Sequence, residues 1–154
     1  MQRLSNDLRE FIHLLNTESV KYVIVGAWAL AFHSRPRYTG DLDIFVARDQ
    51  ANARKLMDVI VAFGFGQTSI KQDDFLQPDH VIQLGREPNR IDILTGISGV
   101  TFDEAWETRE QGSISDVTMV FISRDLLIKN KRAANRDKDQ ADIKLLEKTK
   151  PPRS

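Results

Sequence analysis

Two aspartates one residue apart head an apolar run in Asp41-Leu42-Asp43-Ile44-Phe45-Val46. Side chains on a β-strand alternate faces, so Asp41, Asp43 and Phe45 project to one side and Leu42, Ile44 and Val46 to the other. Neighbouring carboxylates repel, and each favours its protonated form unless a cation lies between them. A hard divalent ion such as Mg²⁺ suits the pair, because it takes oxygen ligands at short range and completes its shell with water or phosphate oxygens. Upstream, Gly26 allows close approach of backbone to a ligand, and a helix starting after it points unpaired N–H groups outward, as a phosphate requires. Arg35 and Arg37 lie in the intervening loop, within reach of the same anion. Together these residues describe a phosphate and metal site.

The elements that must position them are legible between Lys21 and Val46. An apolar β-type run, Tyr22-Val23-Ile24-Val25, stops at Gly26. A short apolar helix-former stretch follows, from Ala27 to Phe32. A basic turn, Ser34-Arg35-Pro36-Arg37-Tyr38-Thr39-Gly40, leads into the aspartate-bearing strand. The order is strand, glycine turn, helix, loop, strand.

A third carboxylate, Asp92, lies in Arg90-Ile91-Asp92-Ile93-Leu94, flanked by isoleucines in what reads as a central strand. Burying it without a partner would be costly. It either supplies a third oxygen donor to the site or pairs with Arg90, two positions away on the same face.

The glycine turn, the following helix and the D-x-D on the next strand resemble the signature of the polymerase-β-type nucleotidyltransferases. The run R-x-T-G-D-L-D from Arg37 to Asp43, with Gly85-x4-Arg90-Ile91-Asp92-Ile93-Leu94-Thr95, is similar to small bacterial stand-alone nucleotidyltransferase domains related to AbiEii-type enzymes of toxin–antitoxin systems. The resemblance spans nearly the whole chain. It implies a nucleotidyltransferase fold and a metal triad of Asp41, Asp43 and Asp92 holding two Mg²⁺ ions, with Mn²⁺ as an alternative. It further implies a triphosphate held by Gly26, Ala27, Arg37, Thr39 and a helical lysine, Lys131 or its neighbour Lys129. That superfamily usually has Gly-Gly or Gly-Ser at the turn, where this chain has Gly26-Ala27.

Composition sets outer bounds. The chain has 154 residues with 41% hydrophobic content, which fits one soluble domain with a real core. Twenty-two basic residues balance 22 acidic ones, so no global field recruits nucleic acid or an anionic membrane. The absence of cysteine excludes disulfides and Cys–zinc sites. With no signal-like h-region and no apolar run near the ~20 residues of a spanning helix, a cytoplasmic protein without membrane association is expected.

In chain order, Leu4, Leu8, Phe11, Ile12 and Leu15 recur at helical spacing and predict an amphipathic helix. Trp28, Ala31 and Phe32 read as core, and His33 as a polar histidine satisfied by its surroundings. Asp49 can cap a helix with an apolar face of Leu56, Val59, Ile60 and Phe63, ending at Gly64. Lys71-Gln72-Asp73-Asp74 reads as a turn between two strands. Residues 80–84 and 90–94 form an antiparallel hairpin joined by the turn 85–89, which makes the sheet mixed. A short helix with Trp106 spans Phe102 to Arg109, and Thr118 to Ile122 is the last clear strand. Ser123 caps a helix from Arg124 to Ala134, and Asp137 with Gln140 opens another. The basic cluster Lys129, Lys131, Arg132, Arg136 and Lys138 is by default a solvated helix face. The resembled family carries a helical lysine followed by R-x-x-D-x-x-D, matched here from Arg136 to Asp142.

The expected fold is α/β (α+β), a single nucleotidyltransferase domain over residues 1–147 with a mixed sheet and packed helices, followed by a disordered tail at 148–154. The expected activity moves an NMP from an NTP to an acceptor hydroxyl with release of pyrophosphate. The acceptor is left open among tRNA, a protein hydroxyl and a small antibiotic-like molecule. Two other readings remain. One is a non-catalytic nucleotide-binding or interaction module, such as a partner in a toxin–antitoxin pair. The other makes the basic C-terminal helices a nucleic-acid surface, which zero net charge and few aromatics disfavour.

Overall fold

The computed structural model describes residues 4–35, 40–66 and 68–149. Its six strands form one sheet: β1 (Tyr22–Val25), β2 (Leu42–Val46), β3 (Val81–Leu84), β4 (Ile91–Leu94), β5 (Glu110–Ile114) and β6 (Val117–Phe121). Across the sheet the order is β3-β4-β2-β1-β6-β5. β1 runs antiparallel to β2 and parallel to β6, and β2 runs parallel to β4. The hairpins β3–β4 and β5–β6 are antiparallel. The fold is therefore α/β with a mixed sheet, as the hairpin at 80–94 implies.

The described helices are α1 (Asn6–Thr17), α2 (Gly26–His33), α3 (Gln50–Ile60), α4 (Phe102–Glu107), α5 (Arg124–Ala134) and α6 (Asp137–Lys148). A 12-residue helix such as α1 is marginal alone in water. It persists because Leu8, Phe11, Ile12 and Leu15 are buried, each contributing roughly 1.5–3 kcal/mol. Ser5, Asp49 and Ser123 cap α1, α3 and α5 through their side chains. All four residues of β1 are buried, so the strand that leads into the glycine turn lies in the centre of the core. Asn52 fixes the far end of β1: it accepts from the Lys21 N–H and donates to the carbonyls of Lys21 and Ala47.

Several local expectations are corrected. Residues 71–74 do not turn between strands. They start a 3₁₀ helix, Gln72–Leu76, that buries Phe75. β5 carries no apolar alternation because it is an edge strand, paired only with β6. Its Gly112 is required by packing, since a Cβ there would stand 2.5 Å from the Phe32 ring. The cap of α6 is Arg136 with Asp139, not Asp137 with Gln140. That helix continues through Lys148, and residues 150–154 lie outside the described ones. No helix among the described residues is long and apolar enough to cross a membrane.

Candidate active site

β1 ends at Val25, and Gly26, at φ +66, turns the chain into α2. β2 lies beside β1 with Asp43 opposite Val25, and β4 lies on the other side of β2 with Asp92 opposite Asp43. Residues in register on neighbouring strands point to the same face, so Asp43 and Asp92 stand side by side next to the glycine turn. A Cβ at position 26 would come within 2.3 Å of Asp43 Oδ2. Gly26 is thus required twice, by its left-handed backbone and by the space the carboxylate takes. The space that a side chain would take at position 26 is filled by Asp43.

Asp41 lies just before β2, half-buried, with both oxygens directed to one residue. Oδ1 accepts from the Arg90 backbone N–H at 3.2 Å, and Oδ2 lies 3.2 Å from Arg90 Nη2. The same guanidinium donates to Asp92 through Nε at 2.9 Å and Nη2 at 3.2 Å. Arg90 therefore bridges the two outer carboxylates. The pairing with Asp92 is one of the two roles legible in the sequence; the pairing with Asp41 needs the β2–β4 alignment and is not.

Among the described residues three carboxylates share one cation here, and Asp43 bears the excess. Burial pushes its carboxyl up to about 7, helped by the charge of Asp92, a hydrogen bond to Asp92 and the charge of Asp41, against a smaller lowering by Arg90. A cation bound beside it would favour the ionised form and oppose this rise. Among the described residues no group of three or more His, Cys, Asp or Glu side chains is placed to hold a metal ion. The donor set still fits Mg²⁺, which is commonly held by one or two carboxylates with phosphate oxygens and water.

At the start of α2, Val25 provides no side-chain cap, and Ala27 is exposed in the first turn. Trp28 is buried and donates from Nε1 to the Gly40 carbonyl at 3.2 Å, which ties the end of the basic loop to the helix. Arg37 and Thr39 lie outside the described residues. His33 is a packed histidine: Nε2 is 2.6 Å from the Ile122 carbonyl, and burial lowers its pKa.

Lys131 is buried at the α5–α6 interface. Its Nζ lies 3.0 Å from Asp142 and 3.8 Å from Asp139. Lys129 pairs with Glu104 at 3.0 Å, and Arg132 pairs with Glu147. Arg136 forms a two-pronged pair with Asp139 through Nε at 2.8 Å and Nη2 at 3.2 Å. Most of the basic cluster is therefore neutralised within the fold.

A family model described as nucleotidyl transferase of unknown function (DUF2204) matches residues 4–153. The chain belongs to this nucleotidyl transferase family. Comparison with curated proteins gives no match. Among solved structures, the family fold recurs in the lincosamide antibiotic adenylyltransferase LnuA in its lincomycin-bound form. The TM-score is 0.60 and the identity 17%, over 96% of this chain and 98% of that one. A candidate nucleotidyltransferase, TM1012 from Thermotoga maritima, aligns with TM-score 0.56 and 16% identity, over 92% and 88% of the two chains. An antigenic nucleotidyltransferase-like protein from Paracoccidioides brasiliensis aligns with TM-score 0.55 and 16% identity, over 95% and 77%. At these identities the solved structures support the nucleotidyltransferase fold.

Proposed function

We propose that this chain transfers a nucleoside monophosphate from an NTP to an acceptor hydroxyl with release of pyrophosphate, in a Mg²⁺-dependent reaction. The observation that carries the reading is the register of Asp43 with Asp92 beside the Gly26 turn. Among the described residues it concentrates more carboxylate than one guanidinium offsets, at the uncapped start of a helix. Asp41, Asp43 and Asp92 would hold two Mg²⁺ ions, or Mn²⁺ in their place, which when bound stabilise the attacking and leaving oxygens of an in-line displacement. The backbone N–H groups at Gly26 and Ala27, the loop residues Arg37 and Thr39, and a cation from the α5–α6 pair would hold the triphosphate. Asp92 would accept the acceptor proton as the new oxygen–phosphorus bond forms and the bond to the bridging oxygen breaks, with pyrophosphate leaving. Catalysis of this kind rests on positioning and charge neutralisation.

Among acceptors, we place a small hydroxylated molecule ahead of tRNA and protein. The lincomycin-bound adenylyltransferase, matched over 98% of its own length, supports that order.

One observation favours the non-catalytic alternative, a nucleotide-binding or toxin–antitoxin partner module: Arg90 already occupies Asp41 and Asp92. The two readings separate in one experiment. The protein is incubated with each α-labelled NTP, Mg²⁺ and a cell extract, with Asp41→Asn as control. Label transferred to an acceptor by the unaltered chain and not by Asp41→Asn supports the enzyme. NTP binding without transfer from any of the four nucleotides supports the module.

A further inference from the structure

We infer that Arg136, rather than Lys131, contacts the nucleotide's phosphates, and that Lys131 and Asp139 position it. The assignment rests on the nucleotidyltransferase reading and deepens it. Lys131 is poorly suited to a mobile anion, since its side chain is 7% exposed and its amine lies between Asp139 and Asp142. A phosphate could reach it only by separating a buried ion pair, which is costly.

Arg136 has the opposite character. Its side chain is 58% exposed, yet its guanidinium is oriented by a carboxylate with no exposure, Asp139. That carboxylate also accepts from the Arg136 backbone N–H at 3.0 Å. Nε and Nη2 are engaged, and Nη1 makes no hydrogen bond or ion pair among the described residues. A planar fork held along one edge presents its other edge without further loss of side-chain freedom, which suits a phosphate oxygen. α5 and α6 both pack against α2, the helix that starts at Gly26. The charge of Asp43 is among those acting on Arg136, after the hydrogen bonds and charge of Asp139 and the charge of Asp142. Arg136, at the start of α6, thus brings an exposed positive charge to the helix pair that packs on α2.

Lys131 serves the arrangement from behind. The hydrogen bond from Arg136 is the main cause that holds the Asp139 carboxyl below the usual carboxylate range; Lys131, 3.8 Å away, adds a smaller contribution and gives this buried acid a second cation behind the fork.

The test is calorimetric titration of the full chain with Mg²⁺ and three probes: the tightest-binding of the four NTPs, its NMP, and inorganic tripolyphosphate. Arg136→Gln should weaken NTP and tripolyphosphate binding by about tenfold or more, as expected for a lost charged hydrogen bond. NMP binding should change much less. Arg136→Lys, which keeps the charge and the fold, should recover part of the loss. A general folding defect would weaken NTP and NMP binding alike, and that outcome would overturn the assignment. So would triphosphate binding by Arg136→Gln equal to that of the unaltered chain, and the nucleotidyltransferase reading would then stand. No NTP binding by the unaltered chain would overturn the reading and the assignment with it.

Discussion

The acid cluster on β2 and β4 and the ion network between α5 and α6 use the same side-chain types to opposite effect. On the strands, three carboxylates, Asp41, Asp43 and Asp92, meet one guanidinium, Arg90. Between the helices, two carboxylates, Asp139 and Asp142, meet two cations, Lys131 and Arg136. The pKa directions follow the balance. Asp43 is pushed up by burial and by its acidic neighbours, whereas hydrogen bonds from Arg136 hold Asp139 below the usual carboxylate range. A balanced network stabilises the fold in which it sits. An unbalanced one costs stability, and a cation from outside would supply what is missing. On that contrast, we propose the strand cluster as the metal site and the helix network as the frame that orients Arg136 beside it.

The contrast breaks most visibly under substitution. Asp43→Asn should reduce nucleotidyl transfer by about a thousandfold or more, in line with losing a preorganised charge at the reacting centre. It should leave the metal-free melting temperature unchanged or higher, because it removes an acid the fold does not neutralise. A labelled-NTP assay and a melting curve check the two halves. In the helix network the pattern reverses. Lys131→Met should cost about 3–5 kcal/mol, the usual result of leaving one member of a buried ion pair without its partner. Denaturant unfolding gives that value directly. If Lys131→Met leaves the unfolding midpoint where it was, the network is not part of the frame.

Gly26→Ala tests the junction of the two regions. A methyl group there meets both a left-handed backbone and the Asp43 carboxylate, so a loss of roughly 1–3 kcal/mol is expected. Pairing it with Asp43→Asn cannot relieve the steric conflict, since Asn has the same shape, whereas Asp43→Gly should recover part of the loss. The smallest effect expected is at Ala27. It is exposed at the start of α2, so Ala27→Ser adds a hydroxyl where the proposed triphosphate would lie without disturbing packing. A gain of up to about tenfold in NTP affinity is expected from one added hydrogen bond. A loss of affinity would show that the first turn of α2 does not face the triphosphate.

Much of this was legible from residue types alone. The run Tyr22 to Val25, the stop at Gly26 and the alternating strand from Leu42 to Val46 lie where period and turn chemistry put them, because local preference and burial agree there. The pairing of Asp43 with Asp92 was legible only as chemistry; its geometry depends on the parallel alignment of β2 and β4, which no local pattern encodes. β5 was missed because an edge strand carrying Glu110, Gln111 and Ser113 shows no buried face in sequence, and its one diagnostic residue, Gly112, is explained by Phe32 far upstream. In the C-terminal helices a row of basic residues does not disclose which lysine is sunk into acids. Lys131 and Lys129 look alike in sequence, yet one is buried between two aspartates and the other pairs with Glu104 at the surface.

The two regions also impose opposite pH dependences. Asp139, with a depressed folded pKa, stabilises the protein above the ordinary carboxylate range, and that contribution is lost as pH falls through its folded value. Asp43, raised to about 7, acts the other way. The folded state binds its proton more tightly than the unfolded chain, so stability falls as pH rises from about 4 to about 7. The most direct test of the account is therefore the melting temperature between pH 4 and pH 8, with and without Mg²⁺, for the unaltered chain and Asp43→Asn. The account predicts that the unaltered chain loses stability toward pH 7 relative to Asp43→Asn, that Mg²⁺ restores it, and that Asp43→Asn shows neither response. Identical pH profiles and identical Mg²⁺ shifts in the two proteins would contradict it.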